Sequence, residues 1–164
     1  MRLYLLSLLI LPGLLLAAEI QGKVVRVLDG DTIEVLQYNA PVRVRLANID
    51  APEKKQAYGR WSTNQLKTLV AGKEVKVTYE NIDRYGRVLG VVETKHINVN
   101  RTMVIDGAAW VYDRYNTDTL IPDLQRDAQE KKRGLWADGN PVPPWIWRHT
   151  NKGNLLKDFE RKMK

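Results

Sequence analysis

Three segments near the start of the chain alternate apolar and polar residues, and this alternation constrains the fold most strongly. They run from Lys23 to Leu28, from Thr32 to Leu36 and from Val42 to Leu46. Alternation with a period of two is typical of a strand with one buried face. Asp29-Gly30 lies between the first two segments, and Asp-Gly favours a type I′ hairpin turn, in which both central residues need positive φ. The sequence therefore predicts an antiparallel three-stranded meander.

The rest of the chain alternates between helical and strand periodicity. Asn98 and Asp118 are suited to cap two helices, and Gly72, Gly107 and Gly134 to end the three predicted helices. The predicted helices span Gln56 to Ala71, Val99 to Asp106 and Thr119 to Arg133, and the further strands span Glu74 to Tyr79, Val88 to Glu93 and Ala109 to Tyr112.

These elements predict an α+β fold that is mainly β, a small five-stranded barrel with about three helices packed on it. A chain of 164 residues that is 44% hydrophobic has enough apolar material for one domain with an ordinary core. The absence of cysteine excludes disulfides, thiol catalysis and cysteine metal sites. A formal net charge of +7 suits a polyanion such as nucleic acid, although a solvated basic surface carries the same charge.

The first residues form a separate unit. Arg2 is followed by a nearly unbroken apolar run over residues 3–18, as in a bacterial secretory signal. A membrane anchor is the alternative, but the run is shorter than the roughly 20 residues of a bilayer span, and Pro12-Gly13 interrupts it. We therefore expect an exported protein, periplasmic or secreted, with cleavage near Ala18. Leu16 at the minus-three position leaves the cut site open.

Beyond this signal at residues 1–18, the expected layout is a globular domain at 19–140 and a C-terminal region at 141–164. Pro141 to Trp147 is rich in proline and tryptophan, which predicts an extended segment anchored by its aromatic side chains. A basic tail follows it.

Asp31 is the first residue suited to chemistry. It lies at the end of the second predicted strand and shares its parity with Ile33 and Val35, so it points toward the core side. A buried carboxylate needs a partner or a metal, because burying it alone is costly. The structural alternative is that Asp29-Gly30-Asp31 only makes a turn.

Asp50 and Glu53 follow the third predicted strand, and Pro52 fixes the backbone between them. Two carboxylates, a main-chain carbonyl and waters form a set of hard oxygen ligands suited to Ca²⁺. A polar strand exit capped by Asp is the alternative. Strict alternation places Arg45 and Asp50 on opposite faces, so their convergence requires a bulge or an end of the strand before Asp50.

Arg45 and Arg87 are the candidate phosphate ligands. Arg45 lies within an otherwise apolar strand, and Arg87 follows Tyr85-Gly86. The planar fork of arginine can hold two phosphate oxygens and stays charged at any working pH. The alternatives are a surface arginine at a turn for Arg87 and a structural ion pair for Arg45.

Four motifs follow one another along the chain in a characteristic order. They are Asp29-Gly-Asp31-Thr32, Arg45 five positions before Asp50, Asp50-x-Pro-Glu53, and Asp83-x-Tyr-Gly-Arg87. In this order and spacing they resemble the staphylococcal (thermonuclease-type) nuclease family, over a stretch from Gly22 to Trp136.

The resemblance implies an OB-type barrel that binds one Ca²⁺ ion. Asp31 and Asp50 would be its side-chain ligands and Ala51, often threonine in the family, would contribute its backbone carbonyl. Glu53 would orient and deprotonate the attacking water. The connection from Glu53 to the first helix is shorter than in the best-known member, which leaves substrate access there open.

The resemblance also implies the substrate contacts. Arg45 and Arg87 would clamp the scissile phosphate, and Tyr85 would lie against the nucleotide. Tyr115 resembles a second pocket tyrosine, with the alignment between Tyr112 and Tyr115 left open.

The sequence thus indicates an exported, calcium-dependent endonuclease, a hydrolase that cleaves DNA and RNA with little sequence preference. By resemblance the products would carry 3′-phosphate and 5′-hydroxyl ends. We expect a monomer and infer no protein partner. The acid that protonates the leaving group stays open, because an arginine with a pKa above about 12 is a poor donor. The alternatives are a non-catalytic nucleic-acid-binding OB-type module and an envelope protein whose basic tail binds an acidic surface.

Overall fold

A computed structural model describes residues 18–151 of the chain. The predicted signal peptide, apart from Ala18, and the tail after residue 151 lie outside the described residues. Within the described range no helix has the length and apolar character of a membrane span. In chain order the elements are β1 (Ala18–Val27), β2 (Thr32–Gln37), β3 (Ala40–Leu46), β4 (Ile49–Asp50), α1 (Gly59–Val70), β5 (Glu74–Ile82), β6 (Val88–Glu93), α2 (Val99–Ile105), β7 (Trp110–Val111) and α3 (Ile121–Glu130).

Five strands close into a barrel in the order β1-β2-β3-β6-β5, which confirms the predicted fold class. The pairs are antiparallel except for β3 and β6, which run parallel with Val44 opposite Val88. Inward-pointing residues such as Ile33, Val44 and Val77 are fully buried. Their alternation with exposed neighbours fills the barrel interior and sets the register, because a slip of one residue would expose the whole apolar set.

The meander of β1, β2 and β3 is confirmed, but the predicted type I′ turn at Asp29-Gly30 is wrong. Neither residue has a positive φ, and the Asp29 side chain instead accepts a hydrogen bond from the backbone N–H of Asp31, at 3.1 Å. The two-residue turn with positive φ lies between β2 and β3, where Tyr38 and Asn39 have φ of 47° and 62°. The Asp-Gly pair belongs to a wider loop that shapes the candidate site.

The ends of α1 and α2 largely follow the sequence. Asn98 caps α2 by accepting a hydrogen bond from the Arg101 backbone N–H at 3.0 Å, and Gly107 and Gly72 follow α2 and α1 with positive φ. The first helix begins at Gly59, later than predicted, because the chain turns over residues 53–58 before entering it.

The last predicted helix is too long at both ends, because it ends at Glu130, before the predicted Arg133. It begins at Ile121, and Asp118 is not its N-cap. The Asp118 carboxylate pairs with the Arg101 guanidinium at 2.7 Å and accepts a hydrogen bond from the Leu120 backbone N–H. The ion pair with Arg101 therefore engages the Asp118 side chain, which the sequence predicted as the N-cap of α3.

Residues 141–151 form a C-terminal strap that packs against the barrel. The prediction of an extended segment through Trp147 is wrong from Pro144 onward, because residues 144–151 are helical. A proline is compatible with the first helical turn, where its missing N–H has no intrahelical partner to lose. The aromatic anchoring is confirmed, since the Trp145 ring stacks on that of Tyr112 with centroids 5.8 Å apart.

A left-handed residue, Asn48, ends β3 and redirects the chain. Its φ is 68°, and β4 beyond it leaves the barrel to pair with β7. The Asn48 side chain accepts hydrogen bonds from the Thr117 backbone N–H at 3.0 Å and the Thr117 hydroxyl at 3.2 Å. The strand thus ends before Asp50, which is one of the two geometries that allow Arg45 and Asp50 to converge.

We expect Asn48→Ala to destabilise the protein by about 2 to 4 kcal/mol, because it removes a buried acceptor and places a Cβ-bearing residue without a local hydrogen bond in a left-handed conformation. Asn48→Gly removes the same acceptor but relaxes the backbone, so its loss should be smaller by about 1 kcal/mol. Urea unfolding measures both. Equal stability of both variants and the parent would contradict this account of the bend.

Candidate active site

A cavity of about 390 Å³ lies at one edge of the barrel and collects most of the predicted site residues. Its lining includes Asp31, Arg45, Asp50, Ala51, Glu53, Tyr85 and Arg87, as the sequence predicts, together with Asp29, Gly30, Pro52, Arg84, Tyr112 and Arg148. Tyr115 is not among these residues. It lies in a neighbouring cleft with Asn48 and Thr117.

Gly30 lets the loop that carries Asp31 pack closely into the fold. A Cβ on Gly30 would lie only 2.7 Å from the Ala51 Cβ and would collide with the Ser62 hydroxyl of α1. The tight packing brings the Asp31 carboxylate next to β4, where its Oδ2 accepts a hydrogen bond from the Ala51 backbone N–H at 2.9 Å. The Asp31 carboxylate is thereby fixed beside Asp50 and the Ala51 peptide.

Arg45 ties the end of β3 to β4. Its Nη1 donates to the carbonyl oxygens of Leu46 and Ile49, at 3.0 and 2.9 Å, on the two sides of the bend. Its Nη2 donates to Asp50 Oδ1 at 2.9 Å and lies 3.4 Å from Asp31 Oδ2. Most of the N–H groups of this guanidinium are therefore used inside the fold, so the structural pairing considered for Arg45 is present.

Asp50 is the most deeply buried carboxylate of the cavity, with 1% of its side chain exposed. Burial raises its pKa above the ordinary value, and this effect outweighs the stabilising contacts with Arg148 and Arg45. Burial and the adjacent charge of Asp31 likewise raise the pKa of Asp29 to about 6. Several acids thus share a small, partly desolvated volume, which is a setting that favours cation binding.

Glu53 is held through its backbone by the turn that leads into α1. Its N–H donates to the Gln56 side chain at 3.1 Å, and its carbonyl accepts from the Gln56 N–H at 2.8 Å. Gly59 permits this turn, because a Cβ there would collide with the Glu53 carbonyl oxygen. The Glu53 side chain is 42% exposed, and Glu53 lines the same cavity as Asp31.

Arg87 is oriented by Asp83 in the turn between β5 and β6. The Arg87 Nε and Nη2 each lie 2.8 Å from Asp83 Oδ2, and the other carboxylate oxygen accepts backbone hydrogen bonds from Tyr85 and Arg87. The guanidinium lies over the Tyr85 ring, 5.6 Å from its centroid. Arg87 Nη1 has no hydrogen-bond partner among residues 18–151, so it is available to a substrate phosphate.

The aromatic residues of the cavity differ in part from the predicted pair. Tyr85 lies at the mouth, with 68% of its surface exposed, and the Arg84 guanidinium lies over its ring, 4.9 Å from the centroid. Tyr112 lines the cavity, and Tyr115 packs edge-on against it with ring centroids 4.9 Å apart. The structure thus favours Tyr112 as the tyrosine next to the acids.

Arg148 is the site residue that sequence reasoning missed most clearly. It comes from the strap and contacts both oxygens of Asp50, at 3.2 and 2.7 Å, and Glu53 Oε1 at 2.8 Å. The tryptophans at 145 and 147 signal that the segment docks on the domain, and Arg148 follows them directly. No spacing relates Arg148 to the acids, so the sequence alone does not identify the contact.

The oxygen atoms of the cavity are of the kind that hard cations prefer, and in this structure Arg45 and Arg148 pair with them. Arg45 Nη2 contacts both Asp31 Oδ2 and Asp50 Oδ1, so these two oxygens converge on one point occupied by positive charge. Ala51 also lines the cavity, and irregular all-oxygen ligand sets suit Ca²⁺. No cluster of three acid or histidine side chains capable of metal binding occurs within residues 18–151, so water or substrate would have to complete the coordination.

The fold and the cavity together define an OB-type barrel with an acid-and-arginine site at one edge. The family described as "Staphylococcal nuclease homologue" matches residues 43–138. An "Uncharacterized endonuclease" of Escherichia coli is 62% identical over 151 residues, which is 91% of this chain and 99% of that protein. A "Micrococcal nuclease" of Shigella flexneri is 44% identical over 146 residues, 82% of this chain and 84% of that protein.

A plant protein, "Staphylococcal-like nuclease CAN1" of Arabidopsis thaliana, is 38% identical over 111 residues, 68% of this chain and 34% of that protein. The chain belongs to the staphylococcal nuclease family, which confirms the resemblance seen in its motifs.

We expect Arg45→Lys to cost about 1 to 3 kcal/mol of stability, because a single ammonium cannot reach the two carbonyls and the two carboxylates that the fork connects. Arg43→Lys on the same strand is the matched control. Arg43 is exposed and pairs only with Glu34 among the described residues, so its loss should stay within about 0.5 kcal/mol. Chemical unfolding compares the two variants, and equal effects would contradict the role assigned to Arg45.

Proposed function

We propose that this protein is an exported, Ca²⁺-dependent endonuclease that hydrolyses phosphodiester bonds of DNA and RNA with little sequence preference. The observation that carries the proposal is the single cavity in which two converging carboxylates, the acid Glu53 and the arginine Arg87 face one another. Membership of the nuclease family and the endonuclease name of its relative at 62% identity support it.

Asp31, Asp50 and the Ala51 carbonyl are the residues that would hold the metal. Ca²⁺ bound there supplies a Lewis acid for a phosphoryl oxygen. The chain itself supplies the preorganised charge: Arg45 stabilises the two ionised carboxylates, and its connection to the bend keeps the two acids in place without substrate.

Glu53 is the proposed base. Its carboxylate faces the cavity and is partly exposed to solvent, so it can accept a proton from a water molecule that attacks phosphorus. The bond from phosphorus to the 5′ oxygen then breaks, which leaves a 3′-phosphate and a 5′-hydroxyl. The proton needed by the leaving oxygen comes from a donor that remains to be assigned.

Arg87 stabilises the charge that grows on the phosphoryl oxygens. Asp83 fixes its orientation before substrate binds, and preorganised cations of this kind lower the barrier without reorganising during the reaction. Tyr85 at the mouth would stack on a nucleotide base, and Tyr112, whose ring stacks on that of Trp145, would form part of the cavity wall. Tyr115 would contact a nucleic-acid strand only outside this cavity, along the adjacent cleft.

The wider assignments rest on the sequence. The apolar run over residues 3–18 supports export to the periplasm or medium. We also propose that the protein acts as a monomer without a protein partner. A non-catalytic binding module is less well supported, because a site that only binds nucleic acid gains nothing from three acids facing a phosphate.

The metal requirement is tested by digestion of supercoiled and denatured DNA in Ca²⁺, in Mg²⁺ and with a Ca²⁺ chelator. Cutting should occur in Ca²⁺ and stop in chelator, because the proposed reaction needs a divalent cation as the Lewis acid for the phosphoryl oxygen. End-labelling of the products should detect 3′-phosphates. Equal cutting in chelator would exclude the metal assignment, and binding without cutting in any condition would favour the module.

Glu53→Gln should lower kcat by about 10²- to 10⁴-fold, because the amide keeps the side-chain shape but cannot accept the proton of the water. Steady-state kinetics on a short oligonucleotide measures it. Glu130→Gln, on the exposed surface of α3, removes one negative charge elsewhere and should leave kcat unchanged. A loss smaller than about tenfold for Glu53→Gln would rule out its role as the base.

A further inference from the structure

The strap carries an arginine into the cavity from outside the residues matched by the family. The match ends at residue 138, whereas Arg148 lies on the helical part of the strap. Its Nη1 donates to Glu53 Oε1 at 2.8 Å and to Asp50 Oδ1 at 3.2 Å, and its Nη2 donates to Asp50 Oδ2 at 2.7 Å. One guanidinium therefore bridges the proposed base and a proposed metal ligand.

We propose that Arg148 is a positioning residue of the active site, which holds the Glu53 carboxylate at a fixed place relative to Asp50. This inference rests on the proposed role of Glu53. It adds the C-terminal strap to the catalytic machinery of this protein, beyond the residues of the barrel.

The contact is built into the fold at several points. The Val142 carbonyl accepts a hydrogen bond from the buried Gln56 side chain at 2.6 Å, and Gln56 also holds the Glu53 backbone. Trp145 packs on both Tyr112 and Trp110, with ring centroids 5.8 and 5.7 Å away. The strap is thus anchored at two points before the chain reaches Arg148.

The electrostatics of Arg148 agree with a tight bridge. Partial burial lowers its pKa, but the hydrogen bonds to Asp50 and Glu53 outweigh burial and raise the pKa above the ordinary value. The Asp50 end of the bridge is almost fully buried, whereas 38% of the Arg148 side chain is exposed. The charge-assisted hydrogen bonds to the buried Asp50 fix the Arg148 guanidinium, and the guanidinium in turn holds the more exposed Glu53 carboxylate.

Glu53 needs such a constraint because its side chain is half exposed. Its backbone is held by Gln56, but Arg148 is the side-chain partner of its carboxylate among the described residues. A free glutamate explores several rotamers, and a displacement of about 1 Å of a catalytic group can cost on the order of 10²-fold in rate. Loss of Arg148 should therefore reduce turnover more than substrate binding.

The test uses Arg148→Ala and Arg148→Lys in the full mature chain. For Arg148→Ala we expect kcat to fall by about 10- to 100-fold with KM changed less than about threefold, because substrate contacts remain while the base loses its orientation. Arg148→Lys should retain more activity, since an ammonium can still bind one of the acids. Guanidinium ion at millimolar concentration should partly restore the alanine variant.

Two further measurements separate positioning from other roles. In the Glu53→Gln background, Arg148→Ala should cause little additional loss of kcat, because both changes disable the same step. Calorimetry should show that Ca²⁺ binds the alanine variant at least as tightly as the parent, since a positive charge beside Asp50 is gone. Arg126→Ala, which removes an exposed arginine of α3, is the charge-matched control and should leave kcat unchanged.

Parent-like kcat in Arg148→Ala, full additivity with Glu53→Gln, or weaker Ca²⁺ binding would each overturn the inference. A rise in KM without a fall in kcat would instead assign Arg148 to phosphate binding and also overturn it. Absence of nuclease activity in the parent protein would refute the proposed function itself. That result differs from the outcomes above, which all require an active parent protein and concern Arg148 alone.

Discussion

The guanidinium of Arg45 is the interaction on which the rest of the site depends. Asn48 redirects the chain at the end of β3, and this bend leaves two backbone carbonyls pointing toward the same space. Arg45 satisfies both of them and also contacts Asp50 and Asp31. Without this planar fork the bend would expose unpaired acceptors and the two acids would repel each other, because buried like charges need a shared counter-ion. The same residue therefore stabilises the fold and assembles the acids.

The remaining cations around this centre differ in the contacts that hold them. Arg87 follows the turn between β5 and β6 and is oriented by Asp83, and within residues 18–151 its Nη1 has no partner, which leaves it available to a ligand. Arg148 arrives from the strap and is bound to Asp50 and Glu53. Acids and arginines alternate across the cavity, and this alternation lets a positively charged chain keep several carboxylates close together. The strap also contacts the short connection between Glu53 and α1, because the Val142 carbonyl accepts a hydrogen bond from the Gln56 side chain.

Much of the fold follows from local pattern. The period-two segments predicted the barrel strands, and Asn98 correctly marked the start of α2, because these signals depend on neighbours in sequence. The failures share one cause. Asp118 pairs with Arg101, Asp29-Gly30 lies in a loop packed against α1, and the strap is helical from Pro144, where Trp145 contacts Tyr112. In each case a tertiary contact outweighed a local preference that is small in free energy.

The sequence by itself determined the chemical inventory: the acids, the arginines, their order and the family to which the chain belongs. It also determined that Asp50 needed a bend to reach Arg45, because the side-chain period of a strand is fixed. Only the tertiary structure decided which tyrosine lines the cavity and that Arg148 joins Asp50 and Glu53. The distance along the chain between Glu53 and Arg148 carries no information about this contact, since it arises from two separately anchored segments that meet in space.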